Sequence, residues 1–206
     1  MTGDELAALV IRAMPRLASA QDELRDLDAA LGDGDLGITV AKGARAVEEA
    51  VRALPAGSPP AAVLRAAGQS FASANPSTMA ALAGGALLAA GKELAESTDL
   101  DRSAAVRLGR TVTARIVTRG KAQPGDKTVL DALVPSIDAI ESDDGSDEQA
   151  LAAGLAAAEA GVAATAGKVS QRGRAAWVGE RGAGTPDPGA VAYVRLLGSL
   201  LAAWQV

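Results

Sequence analysis

The sequence of 206 residues contains no cysteine and no histidine. The first absence excludes disulfides and thiolate chemistry, and suits a reducing compartment. The second excludes His-ligated metals, a histidine general base and a phosphohistidine carried on this chain. Chemistry on this chain therefore depends on carboxylates, hydroxyls, cationic side chains and backbone groups.

Aromatic residues are also scarce, at 2%, and alternating runs of β-branched residues are missing. Alanine and leucine dominate instead, which favours helices over strands. We expect an all-α protein whose residues 1–206 form a single domain. The net charge of −5 comes without a basic cluster, so nucleic acid is not an expected partner.

Long hydrophobic runs are absent as well. The most apolar stretch, residues 79–90, is shorter than the roughly 20 residues that a membrane span needs. The first ten residues, MTGDELAALV, lack the basic flank of a signal peptide and have the pattern of a helix. These features predict a cytoplasmic protein without a membrane anchor.

Periodicity and capping patterns predict a bundle or barrel of about eight antiparallel amphipathic helices. Thr2 with Glu5 and Ser146 with Gln149 are capping-box pairs at two helix starts. The first helix starts at Thr2, the fifth is capped by Asp101, and the others cover about 39–54, 59–74, 77–94, 128–140, 146–166 and 188–204. Pro15 and Pro135 lie inside predicted helices, where kinks are expected.

The connections between these helices differ in a regular way. The second, fourth and sixth are ordinary, whereas the first, third, fifth and seventh are LDAALGDGDLG, ASANPST, TRGKAQPGDKT and GKVSQRGRAAWVGERGAGTPDPG. Successive short connections of an antiparallel bundle alternate between its two ends. The four unusual loops are therefore expected at one rim of the bundle, although any one of them alone is compatible with a simple turn.

The first of these loops concentrates Asp28, Asp33 and Asp35 in a turn broken by glycines. Such an oxygen-rich turn suits a hard cation, and magnesium best fits a few carboxylates that also bridge to phosphates. A calcium EF-hand is rejected, because the twelfth position counted from Asp28 is Thr39 instead of glutamate. A solvated acidic helix cap remains the alternative.

The other unusual loops supply groups that suit phosphate. These are hydroxyl and amide groups at a helix start, small residues with cations, and three arginines: Asn75, Ser77, Thr78, Gly120, Lys121, residues 125–128, Arg172, Arg174 and Arg181. Residues 187–189 of the last loop suit a base or ribose instead. The GDKT stretch is not a Walker A loop, since its spacing is wrong and no strand precedes it. Trp177 is expected to pack under its loop. Together the four loops predict a site for a magnesium-bound di- or triphosphate, because phosphoryl transfer requires mainly positioning and charge neutralisation.

The order of motifs is similar to a known family. Asp28 followed by GDGDLG, then a glycine-rich helix start, GKAQPGDKTVLDAL, GRAAWVGER and DPGA resembles the nucleotide-binding (DhaL-type) subunit or domain of the dihydroxyacetone kinases, from about residue 27 to 190. The resemblance implies a barrel of eight antiparallel helices that binds ADP or ATP through two Mg²⁺ ions at one rim. It implies metal ligation by Asp28, Asp33 and Asp35, and nucleotide contacts from Leu36, Thr39, Ser77, Thr78, Gly120, Lys121, Thr128, Val129, Arg174, Asp187 and Pro188.

The resemblance also implies a partner. Members of the family transfer a phosphoryl group to a dihydroxyacetone-type ketone that a histidine of a separate substrate-binding subunit or domain holds covalently. With no histidine of its own, this chain resembles half of a kinase, without an assigned catalytic side chain and active only with its partner. The phosphate donor is either exchanging ATP or a phosphohistidine carrier of the phosphotransferase system, and a homodimer is one alternative for its assembly.

Two departures from the family pattern matter. The usual histidine after GDGD and the asparagine three residues later are Leu36 and Thr39 here, and NPSTMAALAGG replaces the usual sequence of the third loop. Leucine cannot donate a hydrogen bond, whereas threonine keeps a hydroxyl. The alternatives are therefore a relative acting on another short ketose, a non-catalytic magnesium–nucleotide regulatory module, and a helical bundle without a ligand.

Overall fold

The computed structural model of the chain describes residues 1–75, 77–95 and 97–205. Pro76 of the third predicted loop and Glu96 of the fourth lie outside the described residues. Within these ranges the regular structure is helical, apart from one isolated antiparallel bridge between Thr2 and Asp99. The predicted all-α class is confirmed. None of the described helices has the length and apolarity needed to cross a membrane.

The described residues form ten α-helices and one 3-10 turn. The helices are α1 Gly3–Ala18, α2 Gln21–Leu31, α3 Leu36–Arg52, α4 Pro60–Ala74, α5 Thr78–Glu93, α6 Arg102–Gly120, α7 Leu130–Ser142, α8 Asp147–Ala166, α9 Ala175–Val178 and α10 Pro188–Trp204, with the 3-10 turn at Gly179–Gly182.

Eight of these helices make a closed ring. Going round it, α1, α3, α4, α5, α6, α7, α8 and α10 each pack against the next, and α10 returns to α1. The buried apolar side chains follow the ring in four clusters, of which the largest joins α1 to α4 with α10. Ring closure confirms the predicted barrel of eight helices, because each helix buries its apolar stripe against two neighbours.

Both predicted capping boxes are present. The Thr2 hydroxyl accepts the Glu5 N–H at 3.3 Å, while the Glu5 carboxylate accepts the Thr2 N–H at 2.7 Å. Ser146 and Gln149 exchange the equivalent bonds at the start of α8. Each pair satisfies two N–H groups that have no partner within the helix.

Helix α2 was not predicted. We expected residues 27–37 to form a loop, but α2 continues to Leu31, so that only residues 32–35 connect it to α3. Leu24 and Leu31 are buried on one face of α2, while its other face carries charged residues. The amphipathic pattern of this short helix is obscured in the sequence by the glycines and aspartates that follow it directly.

Two adjacent glycines of α5, Gly84 and Gly85, have different surroundings. A Cβ placed on Gly84 would lie 2.5 Å from the carbonyl oxygen of Gly68, so α4 and α5 touch backbone to backbone there. The same test at Gly85 finds only the Arg115 guanidinium, at 3.9 Å. Close helix approach therefore requires Gly84 and does not require Gly85.

The ordinary connections meet at one end of the barrel. Three contacts join them to each other and to the start of the chain: Asp4 with Gly57, the amino terminus with Leu100, and Arg102 with Gly145. The α3–α4, α5–α6 and α7–α8 connections and the start of α1 share this end, which places the unusual loops at the opposite rim.

Candidate metal and phosphate site

Three carboxylates converge where α2 meets α3. Asp28 lies in the last turn of α2, and Asp33 and Asp35 lie in the short loop that follows. One oxygen from each carboxylate lies within 4.8 Å of the others, and across residues 1–75, 77–95 and 97–205 this is the only such acidic group of three. The structure thus brings together the three residues that the sequence singled out as metal ligands.

Glycines and one hydrogen bond hold this turn in shape. Gly34 has a φ of 73°, a left-handed conformation that side chains rarely adopt. A Cβ on Gly37 would lie 2.0 Å from the carbonyl oxygen of Gln21, so the start of α3 rests directly on the backbone of α2. The Leu36 N–H donates to Asp28 Oδ2 at 3.1 Å, so Asp28 satisfies the first turn of α3 while its other oxygen stays available.

A cation from the last loop lies over the acidic turn. The Arg174 guanidinium forms an ion pair with Asp33, and its Nη1 lies 3.6 Å from Asp35. All three side chains are about half exposed, so water screens the pair and its contribution to stability is about 1 kcal/mol or less. Arg174 therefore partly neutralises the negative charge of the acidic turn.

The carboxylate geometry fits magnesium. Ligand oxygens of one octahedral Mg²⁺ lie about 2.1 Å from the metal, so pairs of them are about 3.0 to 4.2 Å apart. The oxygens of the three aspartates lie within 4.8 Å of one another, which is close to that range. This spacing also suits two ions about 3.5–4 Å apart that share a carboxylate.

The α4–α5 loop lies next to this turn. The Asn75 amide donates to the carbonyl oxygen of Thr39 in the first turns of α3, at 3.2 Å. Ser77 caps α5, because its hydroxyl accepts the Ala80 N–H at 3.0 Å, and Thr78 is the first residue of that helix. The helix start predicted to suit phosphate is therefore close to the acidic turn in the fold.

Leu36 and Thr39, which the resemblance implies as nucleotide contacts, are both buried in the structure. The Leu36 side chain is 8% exposed and belongs to the largest apolar cluster, and Thr39 is 5% exposed. Their main-chain groups make the contacts described above. The position of the usual family histidine is thus filled by a core leucine that offers no polar side chain to a ligand.

The α6–α7 loop is built around two buried aspartates. Asp131 accepts the Gly125 N–H at 2.5 Å and the Thr128 N–H at 2.8 Å, and Asp126 accepts the Gln123 N–H at 3.0 Å. Asp131 was not predicted as a functional residue, and Asp126 was predicted only as a member of residues 125–128. The Asp131 contact had a signal in the sequence, because T-x-x-D at a helix start is a capping pattern.

The two ends of this loop hold four predicted residues. Gly120 ends α6, and Lys121, with a φ of 51°, caps it in the left-handed conformation. Thr128 and Val129 directly precede α7. A Cβ on Gly189 would lie 4.0 Å from that of Val129, so the starts of α7 and α10 are adjacent.

Asp187 and Pro188 form the start of α10. Asp187 caps the helix by accepting the Ala190 N–H at 2.8 Å, and Pro188 is its first residue. Burial raises the pKa of Asp187 to about 6, with the Asp131 charge adding to the effect and the Ala190 hydrogen bond and Lys127 opposing it. Asp187 thus has a structural role as the cap of α10, and this role is compatible with the nucleotide contact predicted for it.

Asp126 of the α6–α7 loop shows the opposite shift. The Arg172 guanidinium and the Gln123 N–H lower the pKa of Asp126.

The α8–α10 loop contacts two of the other unusual loops, the acidic turn and the α6–α7 loop. Arg174 reaches the acidic turn, Arg172 donates to Asp126 Oδ2 at 3.1 Å, and the carbonyl oxygen of Gly182 accepts from Lys127 at 2.8 Å. With the Asn75 contact, these bonds show that the four unusual loops meet at one rim, as predicted. One expectation about this loop is wrong: Trp177 does not pack under it but is 88% exposed.

Fold and site together define a class: helical barrels that carry an acidic, loop-built site at one rim. The DAK2 domain family model matches residues 30–202. The chain belongs to this family.

Two curated relatives differ in how much of their length this chain represents. It is 37% identical over 185 residues to an L-erythrulose 1-kinase of Mycolicibacterium smegmatis, covering 89% of this chain and 32% of the relative. It is 29% identical over 184 residues to the ADP-binding subunit DhaL of a PEP-dependent dihydroxyacetone kinase of Listeria innocua, covering 88% and 85%. The chain therefore spans about a third of the first relative and most of the second.

A solved structure has the same fold. The dihydroxyacetone kinase from C. freundii, in complex with AMP-PNP and Mg²⁺, superposes with a TM-score of 0.76 at 25% identity. The match covers 95% of this chain and 33% of that kinase. Membership of a kinase family and the all-α fold are thus supported independently by sequence and by structure.

Proposed function

We propose that this chain is the magnesium–nucleotide-binding part of a kinase that phosphorylates a small hydroxy-ketone, in which a separate subunit or domain holds the ketone. The observation that carries the proposal is the convergence of Asp28, Asp33 and Asp35 beneath Arg174 at the rim. The comparisons support it, because one relative is named as ADP-binding and the similar structure contains AMP-PNP with Mg²⁺.

The carboxylates would hold one or two magnesium ions, which neutralise phosphate charge and orient the terminal phosphoryl group. Arg174 already lies at this position and, once metal takes over the carboxylates, can turn towards the phosphate oxygens. The start of α5 at Thr78, beside the Asn75 contact, adds a helix N-terminus that favours an anion. Nucleotide contacts from Lys121, Thr128 and Val129 and from Asp187 and Pro188 belong to the same proposal.

The group that holds the ketone, which accepts the phosphoryl group, has to come from outside the chain described here. The chain has no histidine with which to hold a ketone covalently, and it spans about a third of the erythrulose kinase. In a site open to water, the terminal phosphoryl group of the nucleotide can be transferred to water instead of to the ketone. A substrate-bearing partner that covers the rim excludes water and prevents this hydrolysis. We infer that the partner docks at the rim and brings the ketone to the terminal phosphate.

Ligand-dependent stability and product formation test the proposal. Mg²⁺ with ADP at a hundredfold excess over Kd should raise the free energy of unfolding by roughly 2.7 kcal/mol, and EDTA should abolish the gain. The chain mixed with a substrate-binding subunit, ATP and dihydroxyacetone or erythrulose should yield the phosphorylated ketone. A helical bundle without a ligand would show neither effect.

A second candidate function is a non-catalytic magnesium–nucleotide module that docks onto a regulator. The observation that favours it is Leu36, whose side chain is buried in the core where the family usually has a histidine. This candidate predicts stabilisation by Mg²⁺ and ADP, but no phosphorylated ketone under conditions in which a standard family subunit forms it.

The phosphate donor is a separate part of the proposal. Exchange of ADP for ATP within seconds would support a nucleotide that acts as a substrate. ADP that stays bound through gel filtration would support a fixed cofactor, rephosphorylated by a phosphohistidine carrier. The rate of ADP dissociation separates these two mechanisms.

A further inference from the structure

Lys127 is a buried lysine whose ammonium group has no carboxylate partner among residues 1–75, 77–95 and 97–205. Its side chain is fully buried, and its Nζ donates to the carbonyl oxygens of Ala166 at 2.9 Å, Lys168 at 2.8 Å and Gly182 at 2.8 Å. An ammonium group has three N–H donors, so all of them are used. Although Lys127 belongs to a GDKT motif that suggests phosphate binding, it has no donor left for a phosphate.

The three acceptors lie at the two ends of one loop. Ala166 and Lys168 are where the chain leaves α8, and Gly182 is where the 3-10 turn ends, so residues 168–182 form a loop closed at its neck. The Gly184 N–H also donates to the Ala166 carbonyl oxygen at 2.9 Å. We call residues 168–182 the necked loop.

Asp126, the residue before Lys127, also binds the necked loop, at Gln171 and Arg172. Its carbonyl oxygen accepts the Gln171 N–H at 2.9 Å, and its carboxylate accepts from Arg172 at 3.1 Å. The next residues along the loop carry Arg174 onto Asp33. A continuous set of bonds therefore runs from the α6–α7 loop, through the necked loop, to the acidic turn.

Lys127 is a costly choice for a residue whose only task is packing. Its φ of 61° is left-handed, which side chains rarely adopt, and burial lowers the pKa of its ammonium group, opposed by the charge of Asp187. A buried ammonium is tolerated when every donor has a partner, and each of its partners here lies at the neck of one loop.

We propose that Lys127 is a positioning residue that closes the neck of the loop and thereby sets Arg174 over the three carboxylates. It acts through Arg174 and touches neither metal nor nucleotide. The role in ligand binding rests on the proposed function, whereas closure of the neck does not.

Limited trypsin digestion tests the closure. In Lys127→Met, cleavage after Arg172, Arg174 or Arg181 should accelerate by about tenfold or more, the factor that corresponds to about 1.4 kcal/mol in an opening equilibrium. Val63→Ala, which removes buried atoms of α4 far along the chain from the loop, is the control for general loss of stability. Cleavage within the loop no faster than in Val63→Ala would overturn the proposal.

A double-mutant cycle tests the action through Arg174. Lys127→Met should weaken binding of ADP with Mg²⁺ by about tenfold in the wild-type background and by less than about twofold in an Arg174→Met background. A merely structural lysine would weaken binding by the same factor in both backgrounds, and that result would overturn the proposal.

Two further outcomes remain decisive. If Lys127→Met does not unfold cooperatively, Lys127→Gln, which keeps two N–H donors, takes its place in both assays. Failure of both variants to fold would make Lys127 a determinant of the whole barrel and overturn a local role. If the wild-type chain bound no ADP with Mg²⁺, the proposed function would fail, and loop cleavage alone would decide whether Lys127 closes the neck.

Discussion

Arg174 and Asp33 form an ion pair between the last and the first of the four rim loops. Asp33 is also one of the three carboxylates whose oxygens converge within 4.8 Å. A metal ion placed among those carboxylates would compete with the guanidinium for the same oxygen atoms. Metal binding and the position of Arg174 are therefore coupled, and the coupling can be measured.

Replacing Arg174 should change the affinity for metal alone and the affinity for metal with nucleotide in opposite directions. Arg174→Met should raise the affinity for Mn²⁺, used as a paramagnetic substitute for Mg²⁺, by about threefold, because a half-exposed ion pair that opposes binding contributes less than about 1 kcal/mol. The same variant should weaken binding of ADP with Mg²⁺. Electron paramagnetic resonance of free Mn²⁺ and calorimetry of ADP measure the two quantities.

The control for Arg174→Met is Arg110→Met. Arg110 forms similarly exposed ion pairs, with Asp138 and Glu141 of α7, and its loss changes the net charge equally. Equal effects of the two variants on Mn²⁺ affinity would show that net charge alone is responsible and would contradict the competition.

The contact of α3 with α2 at Gly37 should not tolerate a methyl group. Gly37→Ala places a Cβ 2.0 Å from the Gln21 carbonyl oxygen and 2.7 Å from the Arg25 nitrogen, both of which are backbone atoms that cannot rotate away. The helices must separate, at a cost of about 2 kcal/mol or more in the free energy of unfolding. Because the displacement moves Asp28 relative to Asp33 and Asp35, metal affinity should fall too.

Gly198→Ala is the matched control for Gly37→Ala. It lies within α10 and has open space around its Cβ position. There the methyl group should raise the free energy of unfolding by about 0.5–1 kcal/mol, since alanine is the better helix former. Urea unfolding of both variants gives the comparison, and similar losses in both would contradict the close contact.

Asp187 should make stability depend on pH. Its folded-state pKa of about 6 lies above the ordinary value of 3.8, so the folded protein holds this proton more tightly than the unfolded chain does. Its contribution to stability is fully present below about pH 4 and is lost as the pH rises through about 6. Asp187→Asn keeps an acceptor for the Ala190 N–H and removes this pH dependence.

Urea unfolding at about pH 4.5 and about pH 7.5 measures the effect of Asp187→Asn. The variant should be the more stable protein at the higher pH, by on the order of 2 kcal/mol, with Lys127 reducing the gain because it attracts the ionised carboxylate. A wild-type stability curve with the same slope as that of the variant would contradict the raised pKa.

Much of the fold followed from local patterns in the sequence. Capping boxes such as Thr2 with Glu5 act over three residues, and the apolar stripes repeat within each helix, so both can be read without knowing the tertiary structure. The meeting of the rim loops followed from the alternation of short connections. Helix α2 was missed because its apolar face is short and runs directly into GDGD.

Parts of the site depended on contacts that no local pattern reveals. The three aspartates lie within eight positions, so their convergence was predictable. The partners of Lys127, in contrast, lie in a distant loop, and a lysine in a GDKT motif has the same sequence whether it faces phosphate or the protein interior. The burial of Leu36 and the exposure of Trp177 likewise depend on tertiary packing.

The central claim is that the three aspartates hold magnesium for a nucleotide, and calorimetric titration of ADP with and without Mg²⁺ tests it most directly on Asp33→Ala. The control is Asp26→Ala, an exposed aspartate on α2 whose loss changes the charge equally. The account predicts magnesium-dependent ADP binding in the wild type and in Asp26→Ala, its loss in Asp33→Ala, and an apo fold whose stability changes by less than about 1 kcal/mol. Normal magnesium-dependent ADP binding by folded Asp33→Ala would contradict the metal assignment.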